Sequence, residues 1–253
     1  MEPAGRHALV TGGGRGIGAA IARALSGAGA VVTVLGRVAS PLAALVAEGG
    51  AAGWEQADVT DCTALALAIE RAEAARGPLH ILVNNAGAAE SAPLARSGGA
   101  LWERMIAVNL TSVFEALRLV LPAMAARGAG RVVNIASTAG LTGYPYVSAY
   151  GAAKHGVVGL TRALAMEFAT SGVTVNAVCP GFTDTDLLTA SIASVAAKTG
   201  RPVEEVRATV VRANPQGRFV RPEEVAAAVL FLCGPGSEAM TGQAIAVAGG
   251  EVK

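Results

Sequence analysis

Short apolar runs alternate with longer Ala-rich stretches along the whole chain. The apolar runs at 7–11, 31–35, 79–83, 131–135, 173–178 and 244–247 are continuous rather than alternating, the pattern of strands buried on both faces of a parallel sheet. Residues 53–57 form a weaker seventh. Between them, residues 17–27, 41–47, 61–76, 101–127, 148–171 and 222–232 have helical length and spacing. Asp61 suits an N-cap, and Pro222 with Glu223 and Glu224 suits a first turn. Strand–helix alternation of this kind predicts an α/β fold, a doubly wound parallel sheet of about seven strands with helices on both faces. No repeat or linker interrupts the pattern, so one domain is expected over 1–253.

One connection departs from the rhythm. From Phe182 to Arg221, some forty residues separate a strand from the last helix, far longer than an ordinary βα loop. Apolar spacing over 185–198 and a helix start at Pro202-Val203-Glu204-Glu205 predict a helical flap over 182–221, able to cover a substrate.

Composition narrows the function. Hydrophobic residues make up 52% of the chain and the formal net charge is +1, which offers no footprint for nucleic acid or an anionic membrane. No apolar run of membrane-spanning length is free of Gly, Arg or Glu, so no membrane partner is expected. Residues 1–6 run straight into the first strand without a secretory leader. Cys62, Cys179 and Cys233 lack metal-ligand spacing and read as reduced thiols of a cytoplasmic protein, with no metal site.

Residues 11–18, TGGGRGIG, follow the first strand and open the first helix. Gly12, Gly16 and Gly18 let the backbone turn tightly and approach a ligand, and the helix start offers free N–H groups to a pyrophosphate. The spacing is not G-x-G-x-x-G, and the same residues also read as a plain strand-to-helix turn. At the end of the second strand, where an acidic residue would hold ribose hydroxyls, the chain has Gly36 and then Arg37. Arg37 can pair with a 2′-phosphate through its planar fork, and Arg15 can add a second cation. This favours NADP(H), with NAD(H) possible; the bland alternative is a solvated loop arginine.

Only three tyrosines occur, and Tyr150 stands four residues before Lys154, one of three lysines. On a helix such residues share a face. A phenol has an ordinary pKa of about 10, and an adjacent cation lowers it, so the pair predicts a tuned acid/base. His155 points about a hundred degrees away round the helix. Trp54 and Trp102 read as packing residues, and Asn84 as a strand-to-strand clamp.

Taken with NNAG (84–87), NIAS (134–137), YGAAK (150–154) and Pro180-Gly181, the glycine turn T-G-x-x-x-G-x-G resembles the short-chain dehydrogenase/reductase family, in its branch of about 250 residues, from Leu9 to Gly250. The resemblance implies a Rossmann-like sheet and a catalytic set of Asn109, Ser137, Tyr150 and Lys154. Tyr150 would exchange a proton with the substrate oxygen and Ser137 would hydrogen-bond it. Lys154 would tune Tyr150 and hold the nicotinamide ribose, and Asn109 would hold a relay water. The implied cofactor groove comprises Thr11, Gly12, Gly14, Arg15, Gly16, Ile17, Gly18, Arg37, Asp58, Val59, Asn85, Ala86, Gly87, Val108, Tyr150, Lys154, Pro180, Gly181, Thr183 and Thr185. As bland alternatives, Ser137 reads as a strand-end hydroxyl and Asn109 as a helix-kink residue.

Substrate contacts are expected at Ser137, Thr138, Leu141, Tyr144, Phe182, Leu187 and Leu188, a largely apolar set that suits a mostly apolar ketone or alcohol. A 3-oxoacyl thioester and a cyclic ketone both fit. Ser171 stands where carrier-protein-using relatives tend to have arginine, which leaves Arg127 and Arg131 as basic contacts; Ala248 stands where relatives often carry Asp. The expectation is an enzyme that moves hydride reversibly between a nicotinamide and a ketone or secondary alcohol. An NAD-dependent alcohol dehydrogenase and a catalytically silent cofactor sensor or scaffold on the same fold are the alternatives. The helices at 101–127 and 148–171 are expected to pair across a two-fold in a homotetramer.

Overall fold

The structure, a computed structural model, describes residues 1–252. Seven strands form one sheet in the order β3-β2-β1-β4-β5-β6-β7: β1 His7–Thr11, β2 Val31–Gly36, β3 Gly53–Gln56, β4 Leu79–Asn84, β5 Gly130–Ile135, β6 Val173–Pro180 and β7 Ala244–Val247. Every pairing is parallel, with His7–Thr11 opposite Val31–Leu35 in register. The strand order reverses between β1 and β4, which opens a crevice at the carboxyl ends of the strands.

The continuous apolar strands have the explanation that the pattern implied. Val10, Val34, Ile81 and Val133 face one layer, α1 (Gly16–Gly27) and α9 (Pro222–Cys233), through Ile21, Leu25, Val225 and Val229. Their neighbours Leu9, Leu35, Leu82 and Val132 face the other layer, α3 (Cys62–Arg76), α5 (Ser112–Ala126) and α6 (Ser148–Glu167), through Leu65, Leu117, Leu121 and Val157. Both faces of the pleat are covered, so apolar residues dominate both, and polar exceptions such as Thr33, Asn84 and Asn134 are buried with hydrogen-bond partners. Asp61 caps α3 by accepting from Thr63 N and Ala64 N, both at 3.0 Å.

The helix expected at 101–127 is divided. It runs as α4 (Gly99–Ile106), a wider π-helical turn at Ala107–Thr111, and α5. By length and composition alone the run Gly99–Ala126 is long and apolar enough to cross a membrane, although Glu103, Arg104, Glu115 and Arg118 interrupt it as expected. Here it lies on the sheet, with Met105, Val113, Leu117 and Leu121 buried. Helix α6 stops at Glu167 rather than 171, and Gly172 (φ 74°) then turns the chain into β6.

The long connection holds α7 (Asp186–Thr199) and α8 (Val203–Val211), joined by a small core of Ile192, Ala196, Val206 and Phe219 with Phe182 and Leu188 against it. A bridge between Thr183 and Val220 ties its two ends together. Helix α2 (Ala39–Ala47) follows β2.

Asn84 is the clamp that its position suggested. Its Nδ2 donates to Asn134 Oδ1 at 2.9 Å, and Asn134 Nδ2 donates to Thr161 Oγ1 at 2.9 Å. The chain of bonds joins β4, β5 and α6 inside the core. Asn134→Ala is expected to lower unfolding free energy by about 1–3 kcal/mol, because Asn84 loses its buried acceptor; chemical denaturation measures this, and a change within about 0.5 kcal/mol would contradict it.

Candidate active site

The glycine turn sits at the crevice between β1 and β4. Gly18 lies so close to the carbonyl of Gly12 that any Cβ on it would collide, and a Cβ on Gly12 would stand 2.9 Å from Ala86 Cα. Asn85 fastens the turn to β4: its Nδ2 donates to Thr11 O at 2.9 Å and Gly12 O at 3.1 Å. Thr11 Oγ1 accepts from Asn85 N at 3.0 Å and Ala86 N at 3.1 Å. Thr11 and Asn85, expected as groove residues, thus also build the turn. No side chain caps the start of α1, so its first N–H groups face the crevice for an anion.

Arg15, within this turn, and Arg37, just after β2, are both exposed. Asp58 follows β3. Burial alone would raise its carboxyl, but the Thr60 N–H and hydroxyl, with the Arg37 charge, hold it below its ordinary value. Val59 beside it is buried.

The polar cluster lies further along the same crevice. Ser137 follows β5, and its Oγ accepts from Ala139 N at 3.1 Å. Tyr150, on α6 and partly buried, presents its phenol to Ser137. Lys154, one turn on, is 4% exposed and donates to Ile135 O at 2.8 Å. Its Nζ lies over the Tyr150 ring, 5.7 Å from the centroid. The bond to Ile135 O is its one hydrogen bond among the described residues, although an ammonium has three donors.

Asn109 occupies the π-helical turn and is wholly buried. Its Nδ2 donates to Ala88 O at 2.9 Å and Met105 O at 3.0 Å, and its Oδ1 accepts from Ala88 N at 3.2 Å. Asn109 thus sits inside the wide turn with its amide tied both to its own helix and to Ala88. A Cβ on Gly87 would stand 2.8 Å from Asn109 Oδ1 and 3.8 Å from Lys154 Nζ. Val108, in the same turn, is partly buried.

Two electrostatic expectations change. The phenol of Tyr150 is raised above its ordinary value, because burial outweighs the opposing hydrogen bond from Ser137. The Lys154 cation sits on the ring face and turns to a carbonyl rather than pairing with the phenol oxygen. Burial in turn brings Lys154 down to about 8. Cys179, at the end of β6, is pushed by burial up to about 11 and carries no charge at neutral pH.

Pro180 and Gly181 end β6 beside the cluster. Thr183 Oγ1 donates to Gly181 O at 2.9 Å, and Thr185 caps α7, accepting from Leu188 N at 3.3 Å. A Cβ on Gly16 would meet Thr185 Cγ2 at 3.2 Å, so the flap begins against the glycine turn. Of the substrate residues, Thr138 is buried, Leu141 packs into the α6 layer, and Tyr144 meets Phe182 edge-on with centroids 6.2 Å apart. Leu188 packs inside the flap, whereas Leu187 is 53% exposed. The pocket is less apolar than expected: Glu251, which the sequence reading left out, accepts from Tyr144 Oη at 2.5 Å. Only the chain reversal after β7 brings it there, and no motif signals it.

Other expectations shift too. Trp54 and Trp102 are both exposed rather than packed. Arg131 is buried and salt-bridged to Glu238 at 3.5 Å, and Arg127 donates to Leu79 O; Arg131 is therefore no surface contact. His155 is exposed, bonded to Gly151 O at 2.9 Å on its own helix.

A doubly wound sheet with this Ser–Tyr–Lys cluster at its carboxyl edge defines a class. The short chain dehydrogenase family model matches residues 6–196. The chain is 41% identical to D-beta-hydroxybutyrate dehydrogenase of Cupriavidus necator over 233 residues, 90% of each chain. It is 43% identical to cis-4-hydroxycyclohexanecarboxylate dehydrogenase of Sinomonas cyclohexanicum, over 97% of this chain and 96% of the relative. A crystal structure of an actinorhodin polyketide ketoreductase variant with NADPH superposes with a TM-score of 0.94 at 38% identity, covering 99% of this chain and 98% of that one. The chain belongs to the short-chain dehydrogenase family and is an oxidoreductase of the CH–OH/C=O class.

Proposed function

We propose that this chain catalyses reversible hydride transfer between NADP(H) and a ketone or secondary alcohol. The carrying observation is the buried Lys154 ammonium with one protein acceptor, beside Tyr150 and Ser137 and in line with the glycine turn. A buried cation with unused donors suits the hydroxyls of a ribose. The uncapped start of α1, too crowded at Gly12 and Gly18 for side chains, suits a pyrophosphate.

The nicotinamide, when bound, supplies or accepts the hydride. Tyr150, kept protonated by its burial, donates a proton to the carbonyl oxygen in reduction and takes it back in oxidation. Ser137 hydrogen-bonds the same oxygen and stabilises the charge that develops on it. Lys154 holds the ribose and keeps a positive charge near the phenol. Asn109 fixes the Ala88 backbone beside Lys154 and orients a water for proton exchange. Asp58, Val59, Ala86, Val108, Thr183 and Thr185 line the groove, and the 182–221 flap covers the substrate.

Exposed Arg37 and Arg15 support a preference for the phosphorylated cofactor, as does the NADPH in the ketoreductase structure. The relatives named for hydroxybutyrate, hydroxycyclohexanecarboxylate and polyketide substrates support a ketone of modest size, cyclic or thioester-linked. A panel of such ketones assayed with NADPH and NADH tests the whole reading. Arg37→Asp is expected to lower kcat/KM for NADPH by about 10–100-fold, the worth of one charge-assisted hydrogen bond, with NADH gaining in relation. A wild type that prefers NADH contradicts it. The free thiols of Cys62, Cys179 and Cys233 support a cytoplasmic location. Exposed Trp102, Phe114 and Met166 on α4, α5 and α6 support packing against further copies in a homotetramer.

A further inference from the structure

The chain reverses just after its last strand. Gly249 and Gly250 both take left-handed backbone conformations, φ 62° and 92°, and a Cβ on Gly249 would collide with the Asn214 side chain. Glu251 N donates to Ala248 O at 3.2 Å and closes the turn. Glu251 is thereby carried from the end of β7 to the end of β6, against Gly181 and Tyr144.

There its two carboxylate oxygens differ. Oε1 accepts from Tyr144 Oη at 2.5 Å. Oε2 is buried, has no hydrogen-bond partner among the described residues, and lies 2.5 Å from where a Cβ on Gly181 would be. No lysine or arginine pairs with Glu251 among the described residues. Burial, with the Glu251 bond, pushes the Tyr144 phenol up to about 12, so it remains the donor. Burial also raises the Glu251 carboxyl, against the pull of Tyr144. The loop carrying Tyr144 is itself constrained: Tyr146 has φ 68°, rare for a bulky residue, and its carbonyl accepts from Ala92 N at 2.8 Å.

A carboxylate oxygen withdrawn from water without a donor is costly unless a ligand supplies one. We infer that Glu251 is a specificity-determining residue of the substrate pocket: Oε2 accepts a hydrogen bond from a hydroxyl carried by the substrate away from its reacting carbon, and disfavours a carboxylate at that place. The inference rests on the oxidoreductase reading.

The test compares kcat/KM for hydroxycyclohexanone and for oxocyclohexanecarboxylate, both substituted opposite the carbonyl, in wild type and Glu251→Gln. Wild type is expected to favour the hydroxyketone by about tenfold or more, the scale of a like-charge mismatch in a desolvated site. In Glu251→Gln that ratio falls by about tenfold, since the amide can donate to the acid. The ratio is taken within one preparation, so a change in folded fraction does not move it. A ratio within about twofold of wild type in the variant, or a wild type that favours the keto acid, would overturn the inference. The same ratio is read in parallel as dissociation constants of the two ketones from the cofactor-loaded protein. A binding preference that Glu251→Gln abolishes, without turnover in wild type, would retain the role of Glu251 and overturn the oxidoreductase reading instead.

Discussion

Tyr150→Phe should lower kcat for ketone reduction by about 10²–10⁴-fold, the usual share of a positioned general acid, while the cofactor dissociation constant stays within about threefold. The hydroxyl is the only group removed. Ser137 beside it caps the turn after β5 by accepting from Ala139 N and so keeps its place without the phenol. Burial keeps Tyr150 protonated across the neutral range, so reduction draws on a proton already in place. Stopped-flow absorbance of NADPH with equilibrium cofactor titration measures both quantities. A variant within about tenfold of wild type would show that the proton comes from elsewhere.

Lys154→Met comes next in expected effect. The methionine fills much the same volume without charge, and oxidation of a secondary alcohol is expected to fall by about 10–1000-fold at pH 7. A cation at this range is worth about one to three pKa units of phenolate, and each unit is a factor of ten in the ionised fraction. The sign of the pH dependence follows from the burial of the ammonium. Lys154 is depressed to about 8: it is charged below that pH and neutral above it. The kcat/KM for NADPH, which reports the protein before cofactor binds, should therefore fall as pH rises through about 8, and Lys154→Met should lack that limb. An unchanged limb in the variant would assign it to another group.

The fold was legible because both faces of the sheet are covered. Continuous runs such as 31–35 and 173–178 are short and rich in β-branched residues, which suits strands buried on both sides, and the helices between them follow. The π-helical turn at Ala107–Thr111 was not legible as a break, since it costs no residue its apolar partner. It depends on Asn109 reaching Met105 O and Ala88 across the fold. At the site, the sequence grouped Tyr150 with Lys154 correctly by helical spacing. It misjudged the electrostatics, because desolvation is set by what surrounds the pair and outweighs the nearest charge. Asn85 carried a motif signal but not its clamping role, which needs the glycine turn and β4 side by side. Glu251 carried no signal at all. Its place in the pocket comes from two glycines and the collision that Asn214 would impose on any side chain at 249.

The most direct test follows a label. NADPH deuterated at the reactive ring carbon is incubated with the protein and a cyclic ketone in ordinary water, and the alcohol is analysed by mass spectrometry and NMR. Deuterium on the carbinol carbon, one per NADPH consumed, with a solvent-derived hydroxyl proton, is the predicted product. An alcohol whose carbinol hydrogen comes from water, or bound cofactor that stays unreacted against every ketone offered, would contradict the account.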